Sequence, residues 1–153
     1  MSNNISQNIF STSETTIDDC HQINLPFIHR SRGNLTSINN GIDIPFNIER
    51  VYYLYDVPAG AERGGHAHSE LHQYIVAAAG SFNVVLDDGN NIKTVSLNRP
   101  QKALNIVPGI WREVVDFSGG AICLVLASNH YNENEYIRDK SDFYCLKKSC
   151  KKF

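Results

Sequence analysis

Residues 72–128 read HQYIVAAAGSFNVVLDDGNNIKTVSLNRPQKALNIVPGIWREVVDFSGGAICLVLAS. Short runs of β-branched, aromatic and aliphatic residues are broken by Gly80-Ser81, Asp87-Asp88-Gly89-Asn90-Asn91, Asn98-Arg99-Pro100, Pro108-Gly109 and Ser118-Gly119-Gly120. Branched and aromatic side chains suit a pleated surface, whereas Gly, Pro, Asn and Asp supply the dihedral angles of tight turns. The pattern predicts strands over His72–Ala78, Phe82–Leu86, Ile92–Leu97, Ala103–Val107, Trp111–Val115 and Ala121–Ser128, with one more ahead of them over Arg50–Asp56. Helical periodicity is nearly absent before residue 130. Many short strands at close spacing predict an all-β single domain, an antiparallel sandwich or barrel, and a jelly roll fits best. Asn132–Tyr144 is open between a short helix and a closing strand.

The chain has 153 residues, enough for one core and too few for a separate cofactor domain. Hydrophobic residues make up 42% and charged residues 20%, which excludes a chain disordered throughout. A formal charge of −2 offers no general attraction to nucleic acid or to an anionic membrane. No apolar run approaches the roughly 20 residues of a spanning helix, and MSNNISQNIF has neither a basic n-region nor an apolar h-region. The expectation is a cytoplasmic protein. Half of residues 1–20 are Ser, Thr or Asn, which predicts a loose arm. The last fourteen residues, KSDFYCLKKSCKKF, hold five lysines and one aspartate, and 145–153 are expected to form a solvated basic tail. The domain proper is then 21–144. Cys20, Cys123, Cys145 and Cys150 are too irregularly spaced for a zinc ribbon and are expected as free thiols, Cys123 in a core strand.

Six histidines occur, and His66, His68 and His72 fall within GGHAHSELH, residues 64–72. On an extended strand, residues two apart project from the same face, about 7 Å apart along the chain. His66 and His68 therefore share a pocket if that face is the interior. This arrangement resembles the cupins: Gly60, five residues, His66, Ala67, His68, then Gly80 after a second short strand. Metal-binding cupins add a glutamate four or five residues beyond the second histidine and a last histidine after a Pro and Gly turn. Here those places hold His72 or Gln73, and Arg112, which stays cationic and cannot coordinate a metal. A three-histidine site from His66, His68 and His72 remains as an alternative. A solvent-facing His72 and a purely structural pair of buried imidazoles are the bland ones.

A neutral imidazole titrates near pH 6.5 and exchanges protons at cellular pH. Two in one pocket suit removal of a proton from a carbon beside a carbonyl and its return to the neighbouring carbon through an enediolate. No nucleophile elbow, phosphate-cradling glycine loop or dinucleotide fingerprint occurs. Arg50 and Arg63 flank the approach to His66, and Arg112 takes the absent ligand's place. Guanidinium forks match phosphate oxygens, so these three are candidates for a diphosphate, with Tyr52, Tyr74 or Trp111 packing on a base or sugar. Surface arginines and barrel-filling tyrosines are the competing explanation.

The strings RVYYLYDVPAGAERGGHAH, GSFNVVLDDG, VPGIWREVVDFS, LVLAS and EYIRD, with the earlier SRGNLTSINNGIDIPFNIER, closely resemble the sugar-nucleotide 3,4-ketoisomerases of the WxcM-like cupin group over roughly residues 22–144. The resemblance implies a cupin-type jelly-roll barrel without cofactor or bound metal. It implies movement of the carbonyl of dTDP-4-keto-6-deoxyglucose from C4 to C3, supplying amino-sugar synthesis for bacterial surface polysaccharide such as O-antigen lipopolysaccharide. It carries the base onto His66, its partner or proton shuttle onto His68, and a hydrogen-bond donor onto Tyr52. Homodimers joined through β-strands are implied as well. Two departures stand out: a longer N-terminal arm, and Gly65 where a bulkier residue is expected, which points to an enlarged pocket. Another nucleotide-sugar isomerase or epimerase and a non-catalytic sugar-nucleotide-binding cupin are the alternatives.

Overall fold

The computed structural model describes residues 12–148, so the outer part of the expected arm, the end of the basic tail and Cys150 lie outside the described residues. Its strands are β1 (Gln22–Asn24), β2 (Phe27–Arg30), β3 (Gly33–Thr36), β4 (Arg50–Leu54), β5 (Arg63–His68), β6 (Gln73–Ala79), β7 (Phe82–Asp87), β8 (Ile92–Leu97), β9 (Lys102–Ile106), β10 (Trp111–Val115), β11 (Ile122–Ala127) and β12 (Tyr136–Ile137), followed by helix α1 (Lys140–Lys148). One sheet runs β1-β9-β6-β11-β4 and the other β12-β5-β10-β7-β8, with β2 and β3 forming a separate hairpin. All pairings are antiparallel. This two-sheet architecture is the jelly roll that the strand pattern predicts.

Both sheets feed one core, which takes Ile75 and Ala77 from β6, Val84 and Leu86 from β7, Leu104 from β9, Val114 from β10 and Val125 from β11. Strand β6 reads as a continuous apolar run because its outer face is covered too. Tyr74 and Val76 pack there with Leu25 and Ile44, and the Phe46 ring lies 5.7 Å from that of Tyr74. The early strands escaped the sequence reading for the opposite reason: β2 is exposed along its length, so no alternation marks it. The open stretch 132–144 divides between its two readings, a 3₁₀ turn at Glu133–Glu135, then β12, then the start of α1.

Two expectations about the ends are corrected. The 144/145 boundary falls inside α1, whose Phe143 packs on Ala67 and Trp111, and Lys147 is buried rather than solvated. Residues 12–20 lie against the domain. Thr15 and Cys20 are buried, and a capping box on Thr16 and Asp19 closes the 3₁₀ turn Ile17–Asp19. Cys20, Cys123 and Cys145 are free thiols, and burial pushes those of Cys20 and Cys123 up to about 11, which leaves them unreactive.

Candidate active site

The glycine pair ahead of His66 has a structural use. Arg112 of β10 pairs with His66, but Val114 pairs with Arg63, so β5 holds one extra residue between them. Gly64 takes that bulge at φ +74, where a side chain is strained. Past the bulge, His66 and His68 share the interior face. Gly65 opens toward Trp111 and Glu113 on the outer surface, so the pocket enlargement inferred from the missing side chain is not what Gly65 provides.

His66 and His68 are 6% and 4% exposed, with their Nε2 atoms 3.1 Å apart. Arg112, 3% exposed, places Nη2 3.2 Å from His66 Nε2 and donates to the Tyr52 hydroxyl at 2.9 Å. The Gln73 carboxamide reaches His68 Nε2 at 3.2 Å and the Tyr52 hydroxyl at 3.4 Å. A guanidinium has only hydrogens to offer, so His66 Nε2 accepts and its own hydrogen sits on Nδ1. Among the described residues, three buried side-chain polar atoms lack a hydrogen-bond partner, His68 Nδ1, Gln73 Oε1 and Arg112 Nε, and all three belong to this cluster. Buried polar groups are almost always paired, so three orphans in one place mark a site built for a polar ligand. Arg112 also has no ion-pair partner among the described residues.

Tyr136 covers the pair, its ring centroid 4.8 Å from that of His66 and 4.5 Å from that of His68, because β12 sets it opposite His68. Arg50 stacks 4.5 Å over Tyr52 and donates to the Tyr136 hydroxyl at 3.2 Å, while Arg138 lies 4.4 Å over the Tyr136 ring and pairs with Glu133. Burial first, then the nearby guanidinium of Arg112, holds both imidazoles far below their ordinary range. The ordinary value near 6.5, expected from residue type, does not hold here, and both rings are neutral at cellular pH.

That depression ties stability to pH. Above pH 6.5 both rings are neutral in the folded and unfolded chain, and the stability is fully present. As pH falls below 6.5 the unfolded chain alone binds protons, so each histidine removes on the order of 1 kcal/mol per pH unit until its folded-state value is reached. Urea titrations between pH 7.5 and 5 are expected to show this loss, and a His66→Asn, His68→Asn double variant to lose much of the slope.

Of the residues singled out from the sequence, Tyr52, His66, His68 and Arg112 meet in the cluster, with Arg50 at its rim. Three others do not. Arg63 is exposed at the start of β5, before the bulge. Trp111 alternates with Arg112 and so faces outward, 5.8 Å from the Phe143 ring, with its N–H donated to Glu113. Tyr74 alternates with Gln73 and packs on Phe46. His72 is exposed and 6.3 Å from the Phe46 ring, so the three-histidine set is not assembled. Gln73, Tyr136 and Arg138 are the participants that residue type alone did not assign. Parity with Ile75 and Ala77 was the available signal for Gln73.

The roof is anchored by Glu135. Its side chain, buried, accepts from Ser69 Oγ at 3.0 Å, Glu70 N at 3.1 Å and Leu71 N at 3.2 Å. Glu135→Ala leaves these donors unpaired and is expected to cost about 1–3 kcal/mol, or several degrees in Tm by calorimetry.

The chain is similar to known proteins over most of its length. The family FdtA (WxcM-like, C-terminal) matches residues 18–148. A TDP-4-oxo-6-deoxy-alpha-D-glucose-3,4-oxoisomerase of Aneurinibacillus thermoaerophilus is 44% identical over 121 residues, 79% of this chain and 87% of that protein. A 3,4-ketoisomerase from Helicobacter canadensis superposes with a TM-score of 0.81 at 46% identity, covering 84% of this chain and 96% of that one. A point variant of the 3,4-ketoisomerase QdtA from Thermoanaerobacterium thermosaccharolyticum, in complex with TDP-4-keto-6-deoxyglucose, superposes with a TM-score of 0.84 at 38% identity, covering 85% and 94%. A family match over residues 18–148 and relatives of this similarity make the chain a member of the WxcM-like FdtA family.

Proposed function

We propose that the protein is a sugar-nucleotide 3,4-ketoisomerase that converts TDP-4-keto-6-deoxyglucose into a TDP-3-keto-6-deoxyhexose. The carrying observation is the buried His66–His68 pair beside Arg112, which has no ion-pair partner among the described residues, with three orphaned polar atoms in the same cluster. His66 Nε2 takes the proton from C3 of the 4-keto sugar, and the electron pair moves into an enediolate with its charge on O4. Arg112 and the Tyr52 hydroxyl meet that charge at a site where water is excluded, the setting in which fixed donors act most strongly. His66, in exchange with solvent, delivers a proton to C4, while the hydroxyl proton of O3 passes to O4 through His68. The carbonyl then stands at C3, with no net gain or loss of atoms or electrons.

A base held well below pH 6.5 is weak, and Arg112 compensates by raising the acidity of the C3–H. Arg50 and Arg138 at the rim are placed for the diphosphate, and Tyr131, whose ring is 5.5 Å from that of Tyr136, for the base or ribose. The protein works in the cytoplasm as a homodimer, supplying a 3-keto sugar for amination on the way to surface polysaccharide. Support for the dimer comes from β4, a sheet edge with Val51 and Tyr53 exposed and Tyr55 exposed just beyond its end, and from the apolar hairpin residues Phe27, Ile28 and Leu35. Proton NMR of TDP-4-keto-6-deoxyglucose with EDTA-treated protein tests the reading. New signals of a 3-keto sugar are expected. An unchanged spectrum, with TDP still bound, overturns it in favour of a binding protein.

A further inference from the structure

Residues 12–17 precede the span matched by the family, yet they are built into the back of the active site. The Lys147 ammonium, 7% exposed, lies 2.7 Å from Thr15 O, 2.9 Å from Thr15 Oγ1 and 3.2 Å from Thr12 O. An ammonium is buried at a tolerable cost only when its hydrogens are taken up, and three protein oxygens do that here. Helix α1 and the arm are thereby cross-linked.

The arm in turn grips the backbone around His68. Thr12 Oγ1 donates to Ser69 O at 2.7 Å, and Thr15 Oγ1 to Pro108 O at 2.7 Å. Gly109 N donates to His68 O at 2.8 Å. The fit is close enough that a Cβ on Gly109, at φ +79, would lie 2.0 Å from Thr12 O. The ring of contacts therefore joins the residue after His68 to the turn from which β10 carries Arg112 into the pocket.

His68 depends on such a hold. A working histidine is ordinarily oriented by a hydrogen bond on its second ring nitrogen, and His68 Nδ1 has none. Its ring is held at Nε2 and by Tyr136 alone, so its aim follows its backbone.

We infer that the arm segment Thr12–Thr15, clamped by Lys147, is a positioning element that sets the aim of His68 and its register against Arg112. The inference rests on the ketoisomerase reading for its kinetic arm and is independent of it for its spectroscopic one. Thr12→Val in the full chain removes one hydroxyl while keeping shape. It is expected to lower kcat about five- to thirty-fold with KM for TDP-4-keto-6-deoxyglucose unchanged, the scale of a small misplacement of a reacting group. The His68 imidazole ¹⁵N signals are expected to shift, whether or not substrate turns over. Lys147→Met is expected to do at least as much, and if it fails to fold the Thr12 variant decides. Leu97→Ala, a core truncation in β8, supplies a loss of Tm at least as large and is expected to leave kcat and the His68 signals in place. Unmoved His68 signals in Thr12→Val overturn the inference. So does a kcat that follows Tm equally in Thr12→Val and Leu97→Ala.

Discussion

His66→Asn is expected to lower kcat by about 10²- to 10⁴-fold, the worth of a positioned acid–base group, while TDP binds with nearly unchanged affinity. The carboxamide fits the space and keeps a contact to Arg112, but it cannot hold the proton between C3 and C4. Affinity is assigned to the rim, where Arg50, Arg138 and Tyr131 surround Tyr136, and none of these touches His66 directly. Calorimetric titration with TDP beside steady-state kinetics separates the two effects. A parallel collapse of binding and turnover would mean that His66 holds the nucleotide rather than the proton.

Arg112→Met is expected to lower kcat by about 10²- to 10³-fold, as loss of an oxyanion donor does, without destabilising the free protein. A guanidinium buried with no carboxylate paired to it among the described residues carries a desolvation cost that its contacts to Tyr52 and His66 offset only in part, and a thioether of similar length removes it. Tm is expected to hold or rise. The two imidazoles lose the second cause of their depression while burial remains, so their titration moves toward the ordinary range without reaching it. NMR titration of the imidazole signals checks this. A fall in Tm with kcat preserved would make Arg112 a structural residue.

The strands that bury at least one face along much of their length were for the most part legible in the sequence. β8 and β10 have the bounds predicted for them, and β4, β6, β7, β9 and β11 differ only near their ends, where local turn chemistry competes with pairing. Strands β1–β3 were not legible, since exposed residues carry no alternation. Helix α1 was obscured by its lysines, because the burial of Lys147 depends on oxygens supplied more than a hundred residues away. At the site, spacing was enough for His66 and His68, since a period of two fixes a shared face. It was also enough to exclude Trp111 once Arg112 was set inward, and Tyr74 fails by the same parity against Gln73. The imidazoles' titration was beyond reach of the sequence. It depends on burial and on guanidiniums brought in from β4, β10 and the segment after β12.

The chemistry reduces to one event, a proton lifted from C3 by a base that exchanges with solvent while the enediolate stands and then protonates C4. Incubation of TDP-4-keto-6-deoxyglucose in deuterated buffer, followed by proton NMR, reads that event directly. Deuterium at C3 of recovered substrate and at C4 of the 3-keto product, absent with His66→Asn, is the predicted result. Exchange at C5, or product formation undiminished in His66→Asn, would contradict it.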